Sequence, residues 1–227
     1  MKVGIKVGTR EISAVVLAGG GSTRMGKNKA LLKLGEKTVI ERIIDTLRPL
    51  FNEILVVTNN PEEYPFLKDI IFVEDEIILQ EKNSLIGIYS GLLAAKNPYA
   101  FIVPCDMPFL DAGFINYMIN QLENEDILVP KVGEHYQPLH AIYGKGCLEP
   151  IKRMLDEKKY KITNFCPEVI VKKIEEETIK RFSKEYKCFL NINTLDAYLS
   201  IQQEWNENKI RGDQNVQRSN GNCKSTG

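Results

Sequence analysis

The sequence is poor in the residues that bind soft metals or cross-link a secreted fold. It contains two histidines and five cysteines, and no two cysteines have the CxxC spacing. This scarcity argues against a zinc ribbon, a Cys/His cluster and a disulfide framework. Any bound metal should therefore be a hard cation held by oxygen atoms.

Long apolar runs and an excess of one charge are also missing. No stretch of 18 apolar residues occurs, and residues 1–13 carry four charged side chains. We therefore expect no membrane span, no signal peptide and a cytoplasmic location. Lys plus Arg and Asp plus Glu both number 30, giving zero net charge. A neutral chain has no general attraction for a nucleic-acid backbone, although a local basic site stays open.

The composition is otherwise that of an ordinary globular chain. Its 227 residues, 43% of them hydrophobic and 26% charged, are enough to bury a substantial core. We predict one domain over residues 1–205. Residues 206–227 are polar and rich in Asn, Gly and Ser, with Ile210, Val216 and Cys223 as the clear apolar side chains. That composition predicts a disordered tail or a segment that orders only against a partner.

Predicted strands alternate with predicted helices along the chain. Short apolar runs predict strands over residues 12–18, 53–58, 70–73, 99–103, 169–174 and 188–192. Helical periodicity predicts helices near residues 39–50, 84–96, 114–122, 148–157 and 195–205. Residues 126–132 and 135–143 flank a Gly-Glu pair and should form a hairpin. The alternation predicts an α/β fold with a mostly parallel sheet, an antiparallel element and helices on both faces.

The segment from Leu17 to Lys29 has the composition of a phosphate-binding loop. A buried strand is predicted to run into Gly19-Gly20-Gly21, and glycines there let backbone amides approach phosphate oxygens closely. Arg24 and Lys27 add cations close to Lys29, so a polyphosphate is the natural ligand. The segment has neither the GK[ST] end of a Walker A loop nor the GxGxxG pattern of a dinucleotide fingerprint.

Lys29 has the best-defined predicted role within this segment. The apolar residues 30–32 follow it and should pack in the core, which would anchor the lysine stem and leave its ammonium as a point charge on phosphate. Arg24 could hold a second phosphate through two hydrogen bonds. Lys27 is equally compatible with a phosphate contact and with a solvated surface charge.

Asp106 is the predicted metal ligand. It follows the predicted strand 99–103 between two prolines, at the sheet edge where open α/β proteins bind ligands. An exposed, rigid carboxylate beside a polyphosphate suits Mg²⁺, which prefers one or two carboxylates plus substrate oxygens. A helix-capping role is the alternative. Cys105 has no histidine nearby in the sequence and is expected to be structural.

Three further segments place polar residues at predicted strand or loop ends. Asp75, after the third strand, could accept hydrogen bonds from a guanine edge or a ribose, or be a solvated turn residue. The segment 191–194 precedes the last helix and offers either an N-cap or amide contacts to a ligand. His135 and His140 could line the pocket, although isolated histidines are more often structural.

Four motifs, taken in order, resemble those of one enzyme family. They are LAGGGSTRMGKNKALL (residues 17–32), PCDMPFL (104–110), QPLHAIY (137–143) and NINT (191–194). Together they resemble molybdenum cofactor guanylyltransferases, within the nucleotidyltransferase superfamily of three-layer, Rossmann-like fold, over roughly residues 12–205. The first motif is shared with relatives that use CTP or activate sugars. Its combination with PCDMP and NINT is more specific to the molybdopterin enzymes.

The resemblance implies a reaction and a set of site residues. Such enzymes join GMP from GTP to the phosphate of molybdopterin, with Mg²⁺, and release pyrophosphate. The residues that the resemblance places at the nucleotide are Leu17, Ala18, Gly19, Gly20, Lys29, Asp75 and Asp106. Lys29 and Arg24 would contact phosphates, and Asp106 would bind Mg²⁺.

The resemblance also concerns the acceptor side and the partners. Asn191 and Asn193 match the family's paired asparagines, plausible contacts on the pterin side. The implied partners are GTP, molybdopterin and proteins that deliver or accept the cofactor. The chain departs from the family where a Gly-Pro-Leu run is usual, since it has Asn83-Ser84-Leu85 instead. After the second strand the family often has Asn, and Thr58-Asn59-Asn60 leaves two candidates for that position.

Two other classes of function stay open. The first is a related nucleotidyltransferase that uses CTP on molybdopterin or activates a sugar phosphate. The second is a non-catalytic, nucleotide-binding regulatory or assembly protein, against which the presence of both Lys29 and Asp106 argues. A kinase or GTPase is the least compatible class, because Walker A is absent.

Overall fold

The structure is a computed structural model that describes residues 11–19, 28–77 and 83–205. The predictions for Gly20, Arg24, Lys27 and the tail 206–227 concern residues outside these ranges. No helix in the described ranges has the length and apolar composition that crossing a bilayer requires.

Eight strands in the described ranges form one mixed sheet, and two short strands form a separate hairpin. In chain order the strands are β1 (Ile12–Leu17), β2 (Lys33–Leu34), β3 (Lys37–Thr38), β4 (Ile54–Val57), β5 (Ile71–Val73), β6 (Tyr99–Pro104), β7 (Ile127–Val132), β8 (His135–Tyr136), β9 (Ala141–Gly144) and β10 (Val171–Ile174). The sheet has the order β10-β7-β9-β6-β1-β4-β5, with β8 paired to β7, while β2 pairs with β3.

Strand β1 is central and pairs in parallel with both β6 and β4. β5 is parallel to β4, β10 is parallel to β7, and β9 runs antiparallel between β6 and β7. The predicted mostly parallel sheet with an antiparallel element is therefore confirmed. The predicted hairpin also forms, around Gly133 with its left-handed φ of 55°. Its second strand, predicted over 135–143, is instead divided into β8 and β9.

Helices pack on the sheet and one capping motif is clearly formed. The helices are α1 (Val39–Leu47), α2 (Ser84–Ala94), α3 (Ala112–Gln121), α4 (Leu148–Asp156), α5 (Glu176–Phe182) and α6 (residues 195–205). Short 3₁₀ turns occur at Lys29–Leu31, Pro61–Glu63, Lys145–Cys147, Ile162–Glu168 and Lys187–Phe189. At the start of α1, Thr38 Oγ1 accepts from the Glu41 amide and Glu41 Oε2 accepts from the Thr38 amide. Their spacing in the sequence predicts this capping box.

The core lies on both faces of the sheet. Val16 packs in the cluster that includes the apolar faces of α1 and α3, whereas Val15 packs in the cluster that includes α2 and α4. Both side chains are completely buried. A sheet that is apolar on both faces must be covered on both, which gives the predicted three layers.

Three details differ from the predictions. The strand predicted over 188–192 is wrong: the chain forms the 3₁₀ turn Lys187–Phe189, and Ile192 then makes one backbone bond, to Asp106 O at 2.9 Å. Its apolar residues fill the core from an irregular segment instead of joining the ladder. Helix α5 was not predicted, because Ile179 is its one buried residue and gives no periodic apolar signal. The apolar periodicity of residues 84–96 places Leu93 on the same helical face as Leu85 and Leu92, but Leu93 is 42% exposed.

Candidate active site

A cavity of about 320 Å³ lies where β1, β4 and β6 end. These three strands are parallel, so their carboxyl ends open at the same edge of the sheet, where ligands bind in folds of this type. The predicted site residues that line the cavity are Leu17, Gly19, Lys29, Asp106, Asn191 and Asn193. The fold therefore brings together residues from the first and the last parts of the chain.

Lys29 enters the cavity from a rigid turn. Asn28 caps that turn: its Oδ1 accepts from the Ala30 amide at 3.0 Å, and its Nδ2 donates to Glu63 Oε2 and Tyr64 Oη. Ala30 is completely buried, and residues 31 and 32 pack against the core, as predicted. The Asn28 cap and the buried Ala30 hold the backbone on both sides of Lys29. The end of the Lys29 side chain is therefore the part that can move to contact a ligand.

The Lys29 ammonium lies between two oxygen-bearing side chains. Lys29 Nζ is 3.7 Å from Asp106 Oδ2 and 3.4 Å from Asn193 Oδ1. A cation in this position can bind a phosphate oxygen that enters the cavity, because an ammonium presents three donors. The geometry thus brings the predicted phosphate-binding cation next to the predicted metal ligand.

Asp106 is more enclosed than the sequence suggests. Its side chain is 18% exposed, so the prediction of an exposed carboxylate is wrong. Burial raises the pKa of the Asp106 carboxyl above its usual value, and the Lys29 ammonium opposes that shift. Asp106 Oδ1 is buried and has no hydrogen-bond partner among the described residues. Burial also raises the pKa of the neighbouring Cys105 thiol to about 12, which suits its predicted structural role.

Asn191 is held next to Asp106 by the backbone. The Ile192 amide donates to Asp106 O, which ties the irregular segment 191–193 to the end of β6. Asn191 Oδ1 is also buried without a partner in the described part of the chain. Thr194, not Asn193, caps α6, since Thr194 Oγ1 accepts from the Ala197 amide at 3.1 Å. Asn193 is thereby left to contact Lys29.

The donor atoms of this cavity fit a hard divalent cation. Asp106 Oδ1 and Asn191 Oδ1 are two buried oxygens that lack partners among the described residues, and both side chains line the cavity. Burying such groups without a partner is costly, so a ligand is expected to satisfy them. The described ranges hold no cluster of three His, Cys, Asp or Glu side chains that could bind a metal. A cation here would therefore need substrate oxygens as well, and Mg²⁺ is usually bound in this way.

Asp75 lies beside Gly19, two residues after the end of β1. A Cβ atom on Gly19, which lines the cavity, would be 3.7 Å from Asp75 Oδ2, so the carboxylate lies beside the cavity without lining it. Asn59 holds it there: Asn59 Nδ2 donates to Asp75 Oδ2, and the Asp75 amide donates to Asn59 Oδ1, both at 2.9 Å. Thr58 is buried. Of the two asparagines that the sequence left as candidates, Asn59 is the one that contacts Asp75, while Asn60 contacts Glu63.

Helix α2 closes the cavity at the position where the chain departs from the family motif. Asn83 caps the helix by accepting from the Ile86 amide at 3.1 Å, and Ser84 and Gly87 line the cavity. A Cβ on Gly87 would lie 3.2 Å from Leu17 Cδ2. The Asn-Ser pair thus starts the helix by side-chain capping, which a Gly-Pro pair would achieve by backbone restriction.

The two histidines lie away from the cavity. His140 is completely buried, with ring centroids of Phe101, Phe114 and Phe189 within 5.0–5.7 Å. His135 is exposed. From this stretch it is Leu139 that lines the cavity, a contact for which the sequence contains no polar signal.

Known proteins resemble this chain over most of its length. The sequence model of the MobA-like NTP transferase domain matches residues 14–169. A probable molybdenum cofactor guanylyltransferase of Natranaerobius thermophilus is 37% identical over 189 residues, which cover 82% of this chain and 92% of that protein. Another protein of the same name, from Clostridium perfringens, is 42% identical, with 82% and 93% covered.

One solved structure extends the comparison to the fold. It is the molybdopterin-guanine dinucleotide biosynthesis protein A from Archaeoglobus fulgidus, with a TM-score of 0.72, 23% identity, and coverage of 86% of this chain and 99% of that one. The match of the family model to more than half of the 227 residues, the identity to its curated relatives and the shared fold lead to one conclusion: the chain belongs to the MobA-like NTP transferase family of nucleotidyltransferases.

Proposed function

We propose that this protein transfers GMP from GTP to the phosphate of molybdenum-bound molybdopterin, forming the guanine dinucleotide cofactor and releasing pyrophosphate. The observation that carries the proposal is the convergence of Lys29, Asp106 and Asn191 on one cavity at the carboxyl edge of the sheet. The names of the relatives, which this chain matches over nearly their whole length, support the choice of reaction.

The acceptor in this reaction brings its own nucleophile. The phosphate of molybdopterin is already anionic, so it can attack the α-phosphorus of GTP without a general base. The protein then has to orient the two phosphates in line and to stabilise the negative charge that they share. A cavity whose described lining contains a cation and oxygen ligands but no histidine suits this task.

Lys29 is the residue that we assign to the phosphates. Its ammonium would bind the transferring and leaving phosphate oxygens, and its buried turn would keep it in place during transfer. Arg24, which is outside the described residues, would add a second cation from the same loop. The backbone amides of the loop after Leu17, Ala18 and Gly19 would approach the triphosphate closely.

Asp106 and Asn191 are the residues that would hold Mg²⁺. The cation would neutralise negative charge on the triphosphate and help to orient it. Asn193, through its contact with Lys29, would orient the ammonium toward the phosphates. The resemblance assigns Asn191 and Asn193 to the pterin side, and we propose that they act at the phosphate end of molybdopterin.

Asp75 is the residue that we assign to the nucleoside. Its carboxylate can accept hydrogen bonds from guanine N1–H and N2–H₂ or from a ribose hydroxyl. Asn59 fixes the orientation of that carboxylate through two hydrogen bonds. A site built to accept such donors rejects a nucleotide that lacks them, because its polar atoms would be left unpaired.

The decisive experiment is a nucleotide-preference assay with purified molybdopterin. Pyrophosphate release and dinucleotide formation are measured with GTP, CTP, ATP and UTP in separate reactions containing Mg²⁺. We expect transfer from GTP at a rate at least about tenfold above that from any other nucleotide. Preference for CTP would identify the cytidylyl-transferring alternative. Transfer from none of the four would favour the regulatory alternative and contradict the proposal.

A further inference from the structure

Trp205 is the chain's one tryptophan and lies at the end of α6, beyond the 14–169 range that the family model covers. It contacts two different parts of the molecule. Its ring faces the Arg42 guanidinium, whose carbon is 3.8 Å from the ring centroid, and it stacks on Phe109 with centroids 6.4 Å apart. Arg42, in α1, donates to the backbone of the segment that follows Lys29, and Phe109 lies in the segment that follows Asp106.

The first segment is the β2–β3 hairpin, which directly follows the Lys29 turn. Arg42 donates to the carbonyl of Leu34 in β2 through both Nε and Nη2. The hairpin turns at Gly35, whose φ is +68°, and a Cβ there would lie 3.0 Å from Trp205 Nε1. The indole therefore packs against the turn itself, and Arg42 joins the indole to the strand that leaves Lys29.

The second segment is the loop that follows β6. Phe109 comes three residues after Asp106 in that loop and packs against the core. By stacking on Phe109 while it faces Arg42, Trp205 bridges the Lys29 segment and the Asp106 segment. A bridge of this kind joins the two segments next to the charged side chains that line the cavity.

One further contact docks α6 on the same hairpin, and one buried residue anchors the helix in the core. Tyr198 Oη donates to the Lys33 carbonyl at 2.7 Å, and Ile201 is buried in the core. The helix begins two residues after Asn193, which contacts Lys29. The segment that leads into α6 therefore contacts Lys29 directly, and α6 itself contacts the hairpin that follows the Lys29 turn.

We propose that Trp205 is a positioning residue: by clamping the β2–β3 hairpin to the loop after Asp106, it sets the placement of Lys29 for triphosphate binding. The inference rests on the proposed function only in requiring that the cavity bind a nucleoside triphosphate. In this proposal Trp205 touches no substrate itself and acts through Lys29. The free energy of a cation–π contact and an aromatic stack is large enough that their loss would weaken triphosphate binding by about tenfold.

The test measures triphosphate binding, not transfer. The probe is whichever of GTP, CTP, ATP or UTP wild-type protein binds most tightly with Mg²⁺, titrated by calorimetry. We expect Trp205→Leu to raise the dissociation constant about tenfold and Trp205→Phe, which keeps a ring on Arg42 and Phe109, to stay within about threefold of wild type. Leu199→Ala is the matched control, because Leu199 lies on the same helix and is 49% exposed; its dissociation constant should not change.

A double-mutant cycle separates positioning from general stability. If Trp205 acts through Lys29, Trp205→Leu should raise the dissociation constant no further in a Lys29→Met background. An equal rise in both backgrounds, or an unchanged constant for Trp205→Leu alone, overturns the proposal. If Trp205→Leu does not fold, Tyr198→Phe decides: it loses one hydroxyl donor, and an unchanged constant for that variant also overturns it.

The two proposals fail in distinguishable ways. Wild-type protein that binds a triphosphate but forms no guanine dinucleotide contradicts the proposed function and leaves the Trp205 cycle fully informative. Wild-type protein that binds none of the four triphosphates overturns both. Because Trp205 is the one tryptophan, its emission gives a second readout: triphosphate should change it in wild-type protein and leave it unchanged in Lys29→Met.

Discussion

Lys29 Nζ lies 3.7 Å from Asp106 Oδ2, and both side chains are more than four-fifths buried. The pair joins a turn near the start of the chain to the end of the strand beside β1. The separation is longer than a direct hydrogen bond, so a phosphate or a cation can enter without breaking a tight ion pair. This relationship is the basis of the first prediction.

Removing either charge should abolish transfer without unfolding the protein. We expect Lys29→Met and Asp106→Asn each to lower the transfer rate by about 100- to 1000-fold, because a preorganised electrostatic contact to the transferring phosphates is lost. Pyrophosphate release at saturating Mg²⁺ measures the rate, and circular dichroism checks the fold. Lys159→Met is the control, since Lys159 pairs with Glu157 on the exposed surface. Near-wild-type transfer by either site variant would show that the assignment is wrong.

Asn191 should affect the transfer rate by contributing to the binding of the metal ion. Chelation of divalent cations is expected to stop transfer. Asn191→Leu should raise the Mg²⁺ concentration that gives half-maximal transfer by about tenfold, because one of two buried oxygens is lost. The measurement is a Mg²⁺ titration of wild-type and variant proteins at fixed nucleotide. An unaltered half-maximal concentration, together with a lower maximal rate, would place Asn191 away from the cation.

Asp75 should control nucleotide affinity, and Asn59 should act through it. We expect Asp75→Ala to raise KM for the nucleotide by about 10- to 100-fold, with a smaller effect on kcat, since it removes charge-assisted hydrogen bonds to the nucleoside. Asn59→Ala should give part of that effect, and the double variant should be no worse than Asp75→Ala. Glu74→Gln, a change at the adjacent exposed acid, is the control. Additive effects of the Asn59 and Asp75 changes would contradict the positioning role of Asn59.

Two glycines in α2 should respond differently to an added methyl group. A Cβ on Gly91 would collide with Val15 Cγ1 and lie 3.2 Å from Val57 Cγ2, where helix and sheet pack directly. Gly91→Ala should therefore destabilise the fold by about 1–3 kcal/mol. Gly87→Ala meets only the end of the Leu17 side chain, which can move, and should mainly weaken nucleotide binding. Thermal unfolding and nucleotide titration of both variants test this, and equal loss of stability would contradict it.

His140 should make the free energy of unfolding depend on pH. Burial lowers the pKa of its imidazole to about 3, from an unfolded value of 6.5. Above pH 6.5 the ring is neutral in both states. Below it, the unfolded chain binds a proton that the folded chain does not, so stability falls as pH falls from 6.5 toward 3. The loss from this residue is about 1.4 kcal/mol at pH 5.5.

Replacing that histidine should remove this dependence. His140→Met has no unpartnered ring nitrogens and retains contact with the surrounding phenylalanines. We expect it to raise the free energy of unfolding by about 1–3 kcal/mol at pH 7, and by more at pH 5.5. Denaturant unfolding at the two pH values measures the difference. A pH dependence of stability in His140→Met equal to that of wild type would contradict the prediction.

The sequence by itself determined the layered α/β fold and pointed to the side chains that we propose for the site. Apolar runs such as that of β1 and the Thr38–Glu41 capping box are local signals, because strand burial and helix capping depend on residues close together in the chain. Lys29 and Asp106 were identifiable for the same reason, since each directly adjoins a packed segment. The charged segment of α5 and the apolar segment 188–192 were mispredicted because their burial depends on distant partners.

The tertiary structure alone decided how these residues act together. The composition of the chain, with its zero net charge, gave no indication that Asp106 would be buried against Lys29. It also gave no indication that Asn59 would hold Asp75 by two hydrogen bonds. Nor did it indicate that Trp205 would pack on Gly35 and face Arg42. Each of these contacts joins segments far apart in the chain, and only the closing of the sheet and the docking of α6 bring them within contact distance.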